Sequence, residues 1–278
     1  MPFTRPAASQ RMTVRGHSLH WLDWAARDGS DVPVLMLHPN RTNARVWDFV
    51  VEHSKLGCRF VAPDARGHGL SDYPEHGYGY ADYLGDIVEL LDQLGIASAH
   101  LVGAATGGNL ALLLASRHPR LAASLTVIDP GLSLDPELSR RVREQMVREF
   151  RFSTIEEARA RMPFSDRWSE AMKDHYSAHS LRPLDGGGVE WRYHPAGVVE
   201  TEHLLETPIW DAINVSCPTL IVRGAHSAVF PRANMDRLAA IIAGALCMEI
   251  DAGHRVGQDN PGALAAALDE FLGAQARR

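Results

Sequence analysis

Leu101-Val102-Gly103-Ala104-Ala105-Thr106-Gly107-Gly108-Asn109 decides how the rest of the chain is read. An apolar run ending at Val102 meets a turn of small residues, and a helix-like run from Asn109 to Ser116 follows at once. Strand, tight turn and helix in that order are the setting of a nucleophile elbow, G-x-S-x-G. Gly103 and Gly107 take the two glycine positions, and Gly108 adds a further small residue. The middle position, where Ser, Cys or Asp would stand, holds Ala105. The elbow is complete except for its reactive atom.

The flanking segments alternate strand and helix patterns. Upstream, Met12 to Trp24 and the turn-like Arg27-Asp28-Gly29-Ser30-Asp31 suggest an edge hairpin. Val32 to Leu37 reads as a buried parallel strand that delivers the polar loop His38-Pro39-Asn40-Arg41-Thr42-Asn43. Trp47 to Lys55 reads as a helix, Arg59 to Pro63 as a strand, and Asp64 to Asp72 as a Gly-rich loop. Tyr80 to Leu94 has apolar residues at helical spacing, with Gly95 placed to stop it. Pro119 halts the elbow helix, and Ala123 to Ile128 forms a strand ending at Asp129. From about Asp135 to Trp210 the text turns helical, with helices expected at Glu137–Phe150, Ile155–Met162 and Trp168–His179 and a turn at Asp185 to Gly188. Strands resume at Pro218–Val222 and Ala245–Ile250, with helices at Arg232–Ile242 and Gly262–Leu272. The expectation is an α/β fold with a mostly parallel, doubly wound sheet: a core of residues 1–132 and 211–278, and a helical cap at 133–210.

Two residues complete the chemistry around the elbow. Asp129 ends the strand that follows the elbow helix, so it should lie along the same sheet edge as Ala105. His254 follows the last strand through a glycine turn, in the chain order nucleophile, acid, histidine. A carboxylate on one imidazole nitrogen fixes the tautomer and leaves the other nitrogen as a base. Gly224-Ala225-His226-Ser227, the competing place for the acid, contains no carboxylate. Oxyanion donors are expected from the N–H of Thr106 and from Asn40, through its backbone or side chain, since Pro39 has no N–H.

The chain resembles the α/β-hydrolase fold family over nearly its whole length. The resemblance rests on His38-Pro39 where the family usually has His-Gly, on Asp64-Ala65-Arg66-Gly67-His68-Gly69-Leu70-Ser71-Asp72, on the Gly103–Gly108 elbow and on Gly253-His254. Val127-Ile128-Asp129 and Ile221-Val222-Arg223-Gly224 look like the 2-(acetamidomethylene)succinate hydrolase type within it. That resemblance implies cleavage of an ester, amide or related bond in a small molecule without a cofactor.

Ala105 closes the acyl-enzyme route, and Thr106 does not occupy the elbow tip. Three readings follow: a serine-to-alanine inactivated hydrolase, a nucleophile-less enzyme in which Asp129–His254 activates water or deprotonates the substrate, and a ligand-binding protein on the same scaffold. Arg41 and Arg45 flank the oxyanion loop and are candidates to bind a substrate carboxylate. In the cap, Trp168 and Tyr176 are candidates to line the pocket.

Composition limits the partners. A net charge of -6 and no basic tail argue against nucleic acid, and no apolar run approaches membrane-spanning length. Met1 to Arg15 lacks the apolar core of a secretory signal, and 3 widely spaced cysteines, read as buried, suit a reduced compartment. The expectations are therefore a cytoplasmic enzyme on a small-molecule substrate, with no metal and a homodimer as the open oligomeric choice.

Overall fold

The computed structural model describes residues 3–27, 29, 32–132, 136–148 and 150–275. Most of the expected Arg27–Asp31 turn lies outside them.

The chain forms one sheet of eight strands, in the order β1-β2-β4-β3-β5-β6-β10-β11. These are β1 (Ala8–Val14), β2 (His17–Trp24), β3 (Val34–Leu37), β4 (Phe60–Pro63), β5 (Ala99–Ala104), β6 (Ala122–Ile128), β10 (Thr219–Gly224) and β11 (Leu246–Ile250). The first two form an antiparallel edge hairpin, and every pair from β4 to β11 is parallel. All four residues of β3 and of β4 are buried, as expected of strands covered on both faces. At the edge, β1 carries exposed Ser9, Gln10 and Arg11, and polar residues there discourage pairing with another chain.

Helices cover both faces. α1 (Asp48–His53) and α10 (Pro261–Gln275) pack with Trp24, Trp47 and Phe60 on one side. α2 (Tyr80–Gln93), α3 (Thr106–Arg117) and α8 (Arg232–Ile241) close over Leu35, Leu101, Leu125 and Ile221 on the other. Each fully buried aliphatic side chain contributes roughly 1.5–3 kcal/mol. α2 stops where expected, with Gly95 at φ 67. α9 (Val256–Asp259) is a single turn before α10.

Between β6 and β10 lie α4 (Pro136–Arg148), α5 (Ile155–Ala160), α6 (Glu170–Ser180) and α7 (Pro195–Leu204). This segment also holds a second, antiparallel sheet that the helical reading did not include: β7 (Arg151–Phe152), β8 (Leu181–Pro183) and β9 (Val189–Trp191), in the order β7-β9-β8. The Asp185–Gly188 turn joins its hairpin, closed by Leu184 N donating to Gly188 O at 3.1 Å. Backbone bonds tie the segment to the core, including Gly69 N to Arg192 O (2.9 Å) and His194 N to Gly67 O (2.7 Å).

The parallel registers place the site. Leu37 pairs with Gly103, Ala104 with Ile128, and Ile128 with Val222. The carboxyl ends of β3, β5, β6 and β10 thus stand in one row, where open α/β sheets bind ligands. Of the cysteines only Cys58 is buried; Cys217 is half-buried and Cys247 exposed, because β11 is an edge strand.

Candidate active site

Ala105 sits at φ 48, ψ -117, a conformation that L-residues rarely adopt, between the end of β5 and the start of α3. The turn is possible because Gly103 and Gly107 lack side chains. A Cβ on Gly103 would collide with the Gly107 carbonyl, and one on Gly107 with the Leu37 carbonyl. Thr106 opens α3, so its N–H has no intrahelical acceptor.

Asp129 also has positive φ, 46, and its side chain is fully buried. Its Oδ1 accepts from His254 Nδ1 at 2.7 Å and from Ser227 Oγ at 2.6 Å, and its Oδ2 accepts from Gly224 N at 2.8 Å. Because a carboxylate only accepts, Nδ1 of His254 is the donor and Nε2 keeps its lone pair. The loop 224–227 lacks a carboxylate, yet it supplies two of the three donors that hold this one. The sequence offered no sign of that role for Ser227, since nothing local links it to Asp129.

His254, Ala105 and Thr106 line a cavity of about 230 Å³ together with the loop 39–42, Glu202 of α7 and Arg255. Asn40 belongs to it, but not as a side-chain donor: its Nδ2 is committed to Glu202 Oε1 at 2.9 Å. Only its backbone N–H is available toward the elbow. Arg41 holds φ 63, with its backbone N–H on Asn40 Oδ1 (3.1 Å) and His68 Nε2 (3.3 Å). Of the four non-glycine residues with positive φ among the described residues, three (Arg41, Ala105 and Asp129) are therefore at this site. Strain of this kind costs about 1–3 kcal/mol per residue and persists where the surrounding structure enforces it.

A buried network holds the loop after β3. His38 donates from Nδ1 to Pro39 O (2.8 Å) and accepts from Ala65 N at Nε2 (3.0 Å). Burial pushes the His38 pKa down, and it pushes that of His68 down to about 3, with His38 adding a like charge. The Asp64 carboxylate receives His20 Nδ1, Ala44 N and Leu70 N, each at 2.7 Å. Arg66 grips Asp86 with two bonds of 2.6 Å. The Asp64–Asp72 loop thus acts as scaffold beneath the pocket.

Three expected substrate contacts fall elsewhere. Arg45 turns to Asp48 (3.3 Å) and borders a separate small cleft. Trp168 is buried, donates its Nε1–H to Asp259 Oδ1 at 2.8 Å and does not line the cavity. Tyr176 is also buried and faces that small cleft. Aromatic residues in this segment serve its own core, which is continuous with that of the sheet. Arg140 and Arg141 form exposed pairs with Glu137.

Two charged lining residues escaped the sequence reading. Arg255 follows His254 directly, and this adjacency was a usable signal. Its pKa is lowered by burial and by the like charge of Arg41, and no carboxylate lies in salt-bridge contact with it among the described residues. Glu202 gave no signal, because only the tertiary fold brings α7 over the elbow. Among the described residues, no cluster of three His, Cys, Asp or Glu is placed to hold a metal, and no helix is long and apolar enough to cross a membrane.

Comparison with known proteins agrees with this geometry. Over 105 residues the chain is 36% identical to an uncharacterized protein of Mycobacterium tuberculosis, a match covering 37% of this chain and only 30% of that relative. It is 28% identical to the 2-(acetamidomethylene)succinate hydrolase of Mesorhizobium japonicum, over 88% of this chain and 90% of the relative. It is 26% identical to the 3-hydroxybutyrate-oligomer hydrolase of Cupriavidus necator, over 93% and 94% respectively. The crystal structure of E-2-(acetamidomethylene)succinate hydrolase superposes with a TM-score of 0.84 at 25% identity, over 96% of this chain and 99% of that one. The alpha/beta hydrolase fold model matches residues 32–261. From the elbow at Ala105 to the histidine at 254, the chain belongs to the alpha/beta hydrolase fold family.

Proposed function

We propose that this pocket carries out cofactor-free hydrolysis of an ester, amide or related bond in a small carboxylate-bearing molecule, with His254 as general base. The observation that carries the reading is the His254 Nδ1–Asp129 Oδ1 bond of 2.7 Å beside an elbow whose tip is a bare methyl. Without a hydroxyl on Ala105, no acyl-enzyme forms there. Water entering above the Ala105 methyl gives its proton to His254 Nε2 as its oxygen attacks the substrate carbonyl carbon. The buried Asp129 stabilises the imidazolium that results. The N–H groups of Thr106 and Asn40 receive the developing oxyanion, and His254 returns the proton to the leaving group. Arg41 anchors the carboxylate. Two similar proteins bear the names of hydrolases of small carboxylate-containing compounds, which supports this substrate class.

A second reading has a specific observation behind it. The elbow keeps its strained φ of 48 although Ala105 has nothing to present, as an inactivated serine hydrolase would. Such a protein binds its substrate without turning it over. The test is turnover of activated esters and anilides by the chain as it stands and by His254→Ala. Turnover abolished by the substitution supports base catalysis at His254. Absent or unchanged turnover contradicts it. The cap role of residues 133–210 and a cytoplasmic location belong to the same proposal.

A further inference from the structure

The pocket carries two charged groups, Arg255 and Glu202, that the reaction does not use. Arg255 lines the cavity and makes no ion pair with a carboxylate among the described residues. Arg41 lines the same cavity, and its guanidinium makes no hydrogen bond or ion pair among the described residues. Two like charges repelling each other in a cavity wall are costly unless an anion joins them. The opposite sign is also present. Glu202 is 4% exposed, lines the cavity, and has only the neutral Asn40 amide on Oε1, with no cation in contact among the described residues. Its Oε2 has no hydrogen-bond partner among the described residues. A carboxylate has no hydrogen to give, so the group that satisfies it must be an N–H or O–H.

We propose that the pocket recognises a monocarboxylate that also carries a hydrogen-bond donor, with the carboxylate bound between Arg41 and Arg255 and the donor on Glu202. This deepens the functional reading above and rests on its assignment of the pocket. Charge balance selects one carboxylate rather than two. The positive charges of Arg41 and Arg255 offset the negative charges of Glu202 and Asp129. A monocarboxylate then leaves a single excess negative charge, unchanged in the transition state, where the imidazolium of His254 and the oxyanion offset each other. A dicarboxylate leaves a further charge uncompensated. In this respect the pocket departs from a relative named for a substituted succinate.

The test is isothermal titration of the intact protein near neutral pH with three probes of similar size. N-acetylglycine has one carboxylate and an amide N–H. Levulinate replaces that N–H by a methylene, and succinate has two carboxylates. A charge-assisted hydrogen bond is worth about 1.5–3 kcal/mol, so N-acetylglycine should bind about tenfold or more tighter than levulinate. Succinate should bind more weakly than N-acetylglycine. Glu202→Gln should erase the preference between the first two, and Arg255→Gln should weaken both by a similar factor. Equal binding of N-acetylglycine and levulinate, tighter binding of succinate, or no binding of any probe at millimolar concentration overturns the proposal. If a variant fails to fold, the comparison of probes on the unaltered protein still decides. Binding is read without turnover, so a failed hydrolysis assay with the ligand preference intact refutes the reaction alone, and the reverse result refutes the recognition alone.

Discussion

Replacing Asp129 by Asn separates the hydrogen bonding of this group from its charge. The carboxylate accepts on both oxygens: Oδ1 from Ser227 Oγ and His254 Nδ1, Oδ2 from Gly224 N. An amide has only one acceptor oxygen to divide between them. If its oxygen faces Ser227 and His254, its NH2 meets the Gly224 N–H, and a buried donor goes unsatisfied at a cost of about 1–3 kcal/mol. If it turns over, its NH2 meets His254 Nδ1 and forces the proton onto Nε2, the nitrogen that must act as base. Loss of the correct tautomer lowers turnover on the order of 10⁴-fold in serine proteases, about 5 kcal/mol of barrier. In the Ala105→Ser background, Asp129→Asn should therefore lower kcat/KM for p-nitrophenyl acetate by roughly 10³–10⁴-fold. Urea unfolding should show a stability loss no greater than about 3 kcal/mol. A folded variant that keeps activity within tenfold of its parent would refute the assignment of Asp129 as the orienting acid.

Other perturbations test separate parts of the account. Arg41→Ala should weaken binding of a carboxylate ligand by roughly tenfold, whereas Arg45→Ala should leave it unchanged, because Arg45 faces Asp48 rather than the cavity; calorimetry distinguishes them. Stability should fall in acid. Burial holds His68 at about 3 against an ordinary value of 6.5, so the unfolded chain binds more protons across that interval. Its contribution is complete above pH 6.5 and drains away, by at most about 1.4 kcal/mol per pH unit, as the pH falls toward 3. His38, lowered by burial as well, steepens the decline. Urea midpoints that stay constant from pH 7 to pH 4.5 would contradict this. Gly107→Ala should destabilise the fold by several kcal/mol, since the added methyl would overlap the Leu37 and His38 backbone carbonyls, which cannot swing aside as a side chain could; a melting temperature within a degree or two of the parent would refute the close packing of the elbow.

The sheet was legible because buried parallel strands are short aliphatic runs that end in polar or glycine-containing loops, as at Leu37, Pro63 and Ile128. Asp129 and His254 could be placed for the same reason: each follows a strand whose carboxyl end must face the elbow. The small sheet of β7, β8 and β9 was not legible, because two or three residues cannot show a periodicity of two. Trp168 and Tyr176 were misassigned because an aromatic residue that packs a small subdomain has the same local pattern as one that lines a pocket. Glu202, Ser227 and the unpaired state of Arg255 depend on contacts between distant segments, so no local pattern announces them. Asn40 lines the cavity as expected, but the sequence could not choose between its backbone and side-chain N–H, since the side chain answers to Glu202, 162 residues away.

The central claim is that His254, oriented by Asp129, is the base of this site, so that a hydroxyl supplied at Ala105 would be activated by it. Intact-mass spectrometry of the Ala105→Ser variant during reaction with p-nitrophenyl acetate tests it most directly. The account predicts a single acetyl adduct, a burst of about one equivalent of nitrophenol, and loss of both when His254→Ala is added. A folded Ala105→Ser protein that shows neither adduct nor burst would contradict it.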